Sequence, residues 1–187
     1  PLIAIANKYG LYVIEDAAEL IGATYKDKLC GSFGHISTFS FYPNKHITTG
    51  EGGMILTDDI EISNRCKSLR NLCFQSENRF VHKELGWNYR MTNLQAALGL
   101  AQLEKLDLTV KKKSKIGEIY NKNLKKVNNL QLPLQKTNFS KNIYWVFGIL
   151  VDAKIGTAKE FMEKLKKIKI GTRPFFYPMH CQPVFKE

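Results

Sequence analysis

The stretch S-T-F-S-F-Y-P-N-K-H-I-T-T-G-E-G-G-M-I-L-T-D, residues 37–58, decides how the rest of the chain is read. A β-rich run, Ser37–Tyr42, ends at Pro43, and a second apolar run, Met54–Thr57, follows a G-E-G-G turn. Proline removes a ladder donor, and glycine allows tight or left-handed backbone. Lys45 is thereby presented on irregular backbone between two predicted strands, where functional side chains concentrate. Taken alone, such a lysine also reads as a solvated surface residue. Its company decides.

Upstream, residues 2–9 read as the end of a helix closed by Gly10. Leu11–Ile14 is a short apolar run of the kind found in buried parallel strands. Elements already under way at residue 1, with no initiating methionine, read as the middle of an α/β domain, so a fragment of a longer chain is expected. Glu15-Asp16-Ala17-Ala18-Glu19 follows that strand directly. Ligands of open α/β sheets bind beyond the carboxyl ends of the strands, which places Asp16 well for chemistry. Its alternative role is a helix N-cap. Residues 20–36, with Gly22, Gly31 and Gly34, read as a loop holding at most a short hairpin.

Downstream, Asp58–Leu72 reads as a surface helix, and residues 73–91 as a polar loop crossing to a partner subunit. Thr92 opens a helix, with Gln95 completing a capping box. Leu94, Ala97, Leu98 and Ala101 make its predicted buried stripe, and the helix is expected to continue through Lys111–Lys115 toward Leu124. Asn128–Asn142 reads as a loop, Ile143–Val151 as a buried strand, and Thr157–Lys167 as a helix. Ile168–Pro174 is expected to lead to a final strand. The division expected is 1–110, part of a large domain, and 111–187, a linking helix with part of a small C-terminal domain.

Charge narrows function little. The net charge of +11 comes from 28 basic and 17 acidic residues spread along the chain. A basic surface suits nucleic acid, a phosphate-bearing small molecule or plain solubility. The one dense run, Lys111–Lys115, falls on a predicted helix and reads as a solvated face. No aromatic-stacking nucleic-acid module is legible, so no nucleic-acid partner is expected. No apolar run is long enough to span a membrane. Cys30, Cys66, Cys73 and Cys181 have no C-x-x-C spacing, and no His/Cys cluster has zinc-ligand spacing. No metal is expected, and scattered thiols suit a reducing cytoplasm.

Asp16, Ser40, Lys45 and the G-E-G-G turn each follow or end a predicted strand, so all can meet at one sheet edge. An amine, a carboxylate, a hydroxyl and glycine-rich backbone are what pyridoxal 5'-phosphate (PLP) requires. The lysine holds the aldehyde, the carboxylate keeps the pyridine nitrogen protonated, and hydroxyl and N–H groups satisfy the phosphate.

E-D-A-A-E (15–19), F-S-F-Y-P-N-K (39–45) and T-T-G-E-G-G-M (48–54) resemble the DegT/DnrJ/EryC1/StrS aminotransferases. The match continues through G-W-N-Y-R-M-T (86–92), L-Q-A-A-L-G (94–99) and G-T-R-P-F-F-Y-P-M-H (171–180), in order, over nearly the whole chain. The resemblance implies the α/β aspartate-aminotransferase fold (fold type I) and PLP-dependent amination of nucleotide-linked keto sugars. The expected setting is a homodimer with a shared active site, glutamate as amino donor, and products for surface polysaccharide or lipopolysaccharide. It makes Lys45 the Schiff-base lysine, Asp16 the partner of the pyridine nitrogen and Ser40 a phosphate ligand. Asn88 would reach the neighbouring subunit's cofactor, and Arg90 and His180 would lie near substrate. Ser40 also reads as a strand serine, Arg90 as half of a structural ion pair, and His180 as a surface histidine.

Glu19 stands where many relatives have His or Gln near the cofactor ring. The D-A-A-E form and the 171–180 ending resemble perosamine-synthase-like members, which act on GDP-4-keto-6-deoxymannose. One subgroup replaces the lysine by histidine and performs dehydration or deoxygenation; Lys45 argues against it. The family's phosphate-binding helix start and ring-stacking aromatic have no counterpart before Asp16, and more of the small domain is expected after Glu187. The alternatives are a non-catalytic regulatory or binding protein of the same fold, a basic nucleic-acid-binding module, and a PLP enzyme acting on a non-sugar ketone.

Overall fold

The structure, a computed structural model, describes residues 1–75 and 77–185. They form two compact units: Pro1–Lys115 with Lys136–Trp145, and Ile116–Gln135 with Val146–Glu187.

The first unit opens with α1 (Leu2–Tyr9), closed by Gly10 in the left-handed conformation at φ 62, its N–H bonded to the Ala6 carbonyl. A side chain at that position would be strained, so glycine ends the helix cleanly. β1 covers Ile14–Asp16, later than the strand expected at Leu11–Ile14. The Val13 N–H is taken by the side chain of a distant residue, His35 Nδ1 at 2.9 Å, so the ladder begins one residue on. Leu11, Tyr12 and Ile14 are exposed rather than buried, and β1 has a single ladder partner. The helix that Asp16 would cap does not form; Ala17–Gly22 makes turns, and Asp16 Oδ1 accepts from the Ala18 N–H at 3.1 Å.

β2 (Thr24–Tyr25) and β3 (Lys28–Leu29) form the short hairpin. Its turn residues Lys26 and Asp27 both have positive φ, the requirement of a type I′ turn. The Glu15 carboxylate then accepts the N–H groups of Gly31 at 2.5 Å, Phe33 at 2.9 Å and Gly34 at 3.3 Å. Charge-assisted bonds of this kind tie the loop to β1.

β4 (Ile36–Ser40) is the centre of a three-stranded sheet. It pairs in parallel with β1, Ile14 against Ile36 and Asp16 against Thr38. It pairs antiparallel with β5 (Gly53–Leu56), Ser40 against Gly53. The 41–52 connection therefore leaves and re-enters at one edge of the sheet.

α2 (Ile60–Arg70) is capped by Asp59, whose side chain accepts the Glu61 and Ile62 N–H groups. α3 (Asn93–Leu103) begins with the capping box between Thr92 and Gln95 that the sequence predicts. Its inward face is not the apolar stripe. Leu94 and Leu98 are 86% and 51% exposed, while Gln95, Gly99 and Gln102 are partly covered. Gln95 Nε2 donates to the Glu51 carbonyl at 3.2 Å and Gln102 Nε2 to the Thr48 carbonyl at 2.7 Å. Gln102 Oε1 accepts the Thr48 N–H at 3.1 Å. A packed connection needs partners for its backbone groups, and the glutamines supply them. The single helix expected to Leu124 is two, with a turn at Glu104–Lys105 before α4 (Leu106–Leu124).

In the second unit, β6 (Leu130–Gln131), inside the expected loop, pairs antiparallel with β7 (Leu150–Val151). The long strand expected at Ile143–Val151 is thus reduced to its last two residues. Tyr144 has φ 52, which breaks the extended run. α5 (Ala158–Lys167) carries a second capping box, Thr157 with Glu160. The final strand is absent among the described residues. Pro174, Pro178 and Pro183 withhold ladder donors there, and short 3₁₀ turns at Met179–Cys181 and Pro183–Phe185 follow.

Replacing Thr92 by Ala removes the acceptor for the Gln95 N–H, at a cost of about 1 kcal/mol. The urea midpoint is expected to fall for Thr92→Ala and to stay near wild type for Thr92→Ser, which keeps the hydroxyl.

Candidate active site

The parallel register of β1 and β4 places Asp16 and Ser40 at the carboxyl ends of adjacent strands. Asp16 is exposed at the end of the ladder, and Ser40 is half-buried, its Oγ accepting the Tyr42 N–H at 3.3 Å. That acceptance leaves the hydroxyl proton available to a further acceptor.

Lys45 sits in the 41–52 connection, which is braced by polar bonds. The Lys45 N–H bonds the Tyr42 carbonyl at 3.0 Å, and Thr48 Oγ1 donates to the Phe41 carbonyl at 2.9 Å. Gly52 has φ 137, and a Cβ there would lie 2.8 Å from Thr49 Oγ1, so the G-E-G-G turn requires glycine at this point. The Lys45 side chain is only 10% exposed, and its Nζ lies 3.9 Å from Glu19 Oε1. It also lies 3.9 Å from the centroid of the Trp145 ring. The ammonium therefore has a carboxylate and an aromatic face as neighbours, both favourable to positive charge.

The next residue, His46, is buried, and its Nε2 donates to the Ile143 carbonyl at 3.2 Å. Burial lowers its pKa from the ordinary 6.5; the Ile143 hydrogen bond opposes this and nearby Lys113 adds to it. Burial thus favours the uncharged imidazole.

Asn88 and Arg90 lie elsewhere in this unit and meet each other. Arg90 Nε donates to Asn88 Oδ1 at 3.0 Å, and Arg90 Nη1 to Asn71 Oδ1 at 3.1 Å. Asn71 and Asn88 also form a backbone bridge, so Arg90 braces the strand-like segment that presents Asn88. Both side chains are exposed. His180 belongs to the second unit, exposed in the 3₁₀ turn Met179–Cys181.

Sequence reading brings Asp16, Glu19, Ser40 and Lys45 forward but misses Trp145 and His46. Trp145 lies in a run that scans as strand core, and nothing local marks it as the cover of a lysine. His46 carries a weak signal, a histidine beside the lysine in a connection otherwise uncharged until Glu51.

The donor set at this edge fits PLP chemically. It offers a shielded amine, an exposed carboxylate at a strand end and a hydroxyl at the next strand end. The sequence matches the DegT/DnrJ/EryC1/StrS aminotransferase family over residues 1–187. The chain belongs to that family. It is 41% identical to the GDP-perosamine synthase of Escherichia coli O157:H7 over 186 residues, covering 100% of this chain and 50% of that protein. Among solved structures it resembles Helicobacter pylori PseC, an aminotransferase involved in the biosynthesis of pseudoaminic acid, with TM-score 0.88 and 28% identity over 97% of this chain and 50% of that one. It also resembles the E. coli GDP-4-keto-6-deoxy-D-mannose-3-dehydratase with bound hydrated PLP, with TM-score 0.80 and 27% identity over 92% and 48%. The chain spans about half the length of the curated relatives it matches. The family's fold is the α/β fold type I of PLP enzymes, and the likeness to these structures places the two units within it.

The neutral His46 gives a pH signature. Below the ordinary value of 6.5 the unfolded chain binds a proton that the folded chain resists. Stability from this residue is complete above that pH and is lost as pH falls toward the lowered value. Urea unfolding across pH 5 to 8 is expected to show that acid limb in wild type, and a flatter one in His46→Gln.

Proposed function

We propose that this chain carries the lysine-bearing part of a PLP-dependent aminotransferase acting on a nucleotide-linked keto-deoxy sugar. GDP-4-keto-6-deoxymannose is the favoured substrate, glutamate the amino donor, and surface polysaccharide the destination. The observation that carries the reading is Lys45, shielded on a braced connection at the carboxyl edge of parallel strands, with Asp16, Glu19 and Ser40 on the same edge. The sugar is argued from likeness to a GDP-perosamine synthase and from Glu19, which stands in the D-A-A-E form of the motif. Kinship alone leaves a substrate open.

When bound, PLP supplies an aldehyde and a pyridine ring that takes up electrons. Lys45 holds the group through Nζ and, once free, accepts and returns a proton at Nζ as general base. Asp16 would hold a proton at the pyridine nitrogen by charge, and Ser40 would donate its Oγ–H to a phosphate oxygen. Glu19 keeps the amine oriented by charge, and Trp145 covers it. Arg90 keeps Asn88 presented at the surface, available to the cofactor phosphate of a second copy. Support for that homodimer is the exposure of this segment, where Trp87 and Tyr89 stack at 6.1 Å with 43% and 72% of their surface open. Exposed aromatic surface of this kind marks protein contacts. The resemblance of its motif supports His180 as a residue near substrate. A cytoplasmic setting is supported by four free thiols. No helix among the described residues is long and apolar enough to cross a membrane.

The test uses the full-length protein. PLP is added, borohydride reduces any imine, and peptide mass spectrometry locates the modified lysine. Label on Lys45, absent in Lys45→Ala, is the expected result; a folded protein without label there overturns the reading. A panel of keto-sugar nucleotides then reads the substrate, with the GDP-linked 4-keto-6-deoxymannose expected to be aminated fastest.

A further inference from the structure

The Lys45 amine is covered by a segment that is itself clamped. Asn142 Oδ1 accepts the Tyr144 N–H at 2.8 Å, closing a turn in which Tyr144 takes φ 52. Ile143 and Tyr144 are buried. The Ile143 carbonyl accepts from His46 Nε2 at 3.2 Å, and the Trp145 carbonyl accepts from Lys113 Nζ at 3.1 Å. The indole N–H reaches Asn44 Oδ1 at 3.4 Å. Two of these anchors, Asn44 and His46, flank Lys45 in sequence, so the lysine's own connection holds the ring that covers it. All lie in the first unit. Four side-chain hydrogen bonds, none of them part of a strand ladder, hold this short turn. What they hold in place is one aromatic face, 3.9 Å from Nζ.

We propose that Trp145 is a positioning residue for Lys45, its indole face and the Glu19 carboxylate together forming the receiving site for the Lys45 ammonium whenever that amine is free. The proposal rests on the reading of Lys45 as the cofactor lysine. An amine that must let go and return has to be kept at hand in between. On a flexible four-carbon stem it otherwise samples many rotamers and exposes itself to water. The ring attracts the cation through its quadrupole, and the Glu19 carboxylate attracts it by charge. Neither forms a covalent bond with it, so the amine is held without being consumed. His46, Lys113 and Asn44 act through Trp145 by fixing the turn.

The proposal is tested on the full-length protein stripped of bound carbonyl compounds with hydroxylamine. Acetic anhydride is added in limiting amount, and acetylation of Lys45 is quantified by peptide mass spectrometry against exposed Lys8 as internal reference. Trp145→Leu is expected to raise Lys45 acetylation on the order of three- to tenfold relative to Lys8, as the cation is released from the ring. Trp145→Phe keeps an aromatic face and is expected to restore most of the protection. A merely structural Trp145 would not separate Phe from Leu in this way. If Trp145→Leu does not fold, Asn44→Ala removes the indole's acceptor and is expected to shift acetylation in the same direction by a smaller factor. Equal acetylation in wild type and in a folded Trp145→Leu or Asn44→Ala variant overturns the role of Trp145. Failure of the functional reading registers separately, as absence of borohydride label on wild-type Lys45, and would remove the basis of the proposal.

Discussion

β4 is hydrogen-bonded along both sides, to β1 in parallel and to β5 antiparallel, and both ladders reach the same sheet edge. A parallel partner brings its carboxyl end to that edge, which delivers Asp16 and the turn bearing Glu19. The antiparallel partner returns the chain there, which gives the 41–52 connection two fixed ends. Lys45 hangs between them. Because side chains alternate along a strand, a one-residue slip would send Asp16 and Ser40 to the opposite face. The register is therefore the constraint on which the grouping of amine, carboxylate and hydroxyl depends.

The connection is held by polar atoms more than by apolar burial. Gln102 both donates to and accepts from the Thr48 backbone, Gln95 serves the Glu51 carbonyl, and Thr48 and Thr49 close internal bonds. Leaving a packed carbonyl unpaired costs more than leaving a leucine in contact with water. This ordering explains why α3 turns its glutamines inward and leaves Leu94 and Leu98 exposed. Gly99 completes that face, since a Cβ there would lie 3.0 Å from Thr49 Cγ2.

Several local signals were legible in the sequence. Gly10 closing α1, the capping box at Thr92, the helix start at Thr157 and the short hairpin after Gly22 all involve residues within a few positions of each other. Misreadings cluster where a distant group competes with the ladder. His35 takes the Val13 N–H and delays β1. His46 and Lys113 take the carbonyls of Ile143 and Trp145, so an apolar run that scans as strand becomes a clamped turn. Periodicity reports which residues are apolar, but a side chain from elsewhere in the chain can satisfy a backbone group just as a strand does.

The order of motifs from E-D-A-A-E to the 171–180 segment by itself determined the family and singled out Lys45, Asp16 and Ser40 as the candidate amine, carboxylate and hydroxyl. Those are chemical choices, written in residue type and spacing. Tertiary structure alone decided that Glu19 faces Lys45, that Trp145 covers it, and that Arg90 braces Asn88. Each of these joins positions far apart in the chain or depends on a turn whose backbone angles no short window specifies. A contact between distant residues is set by the sheet register and by which backbone groups need partners, and both exist only once the chain has folded.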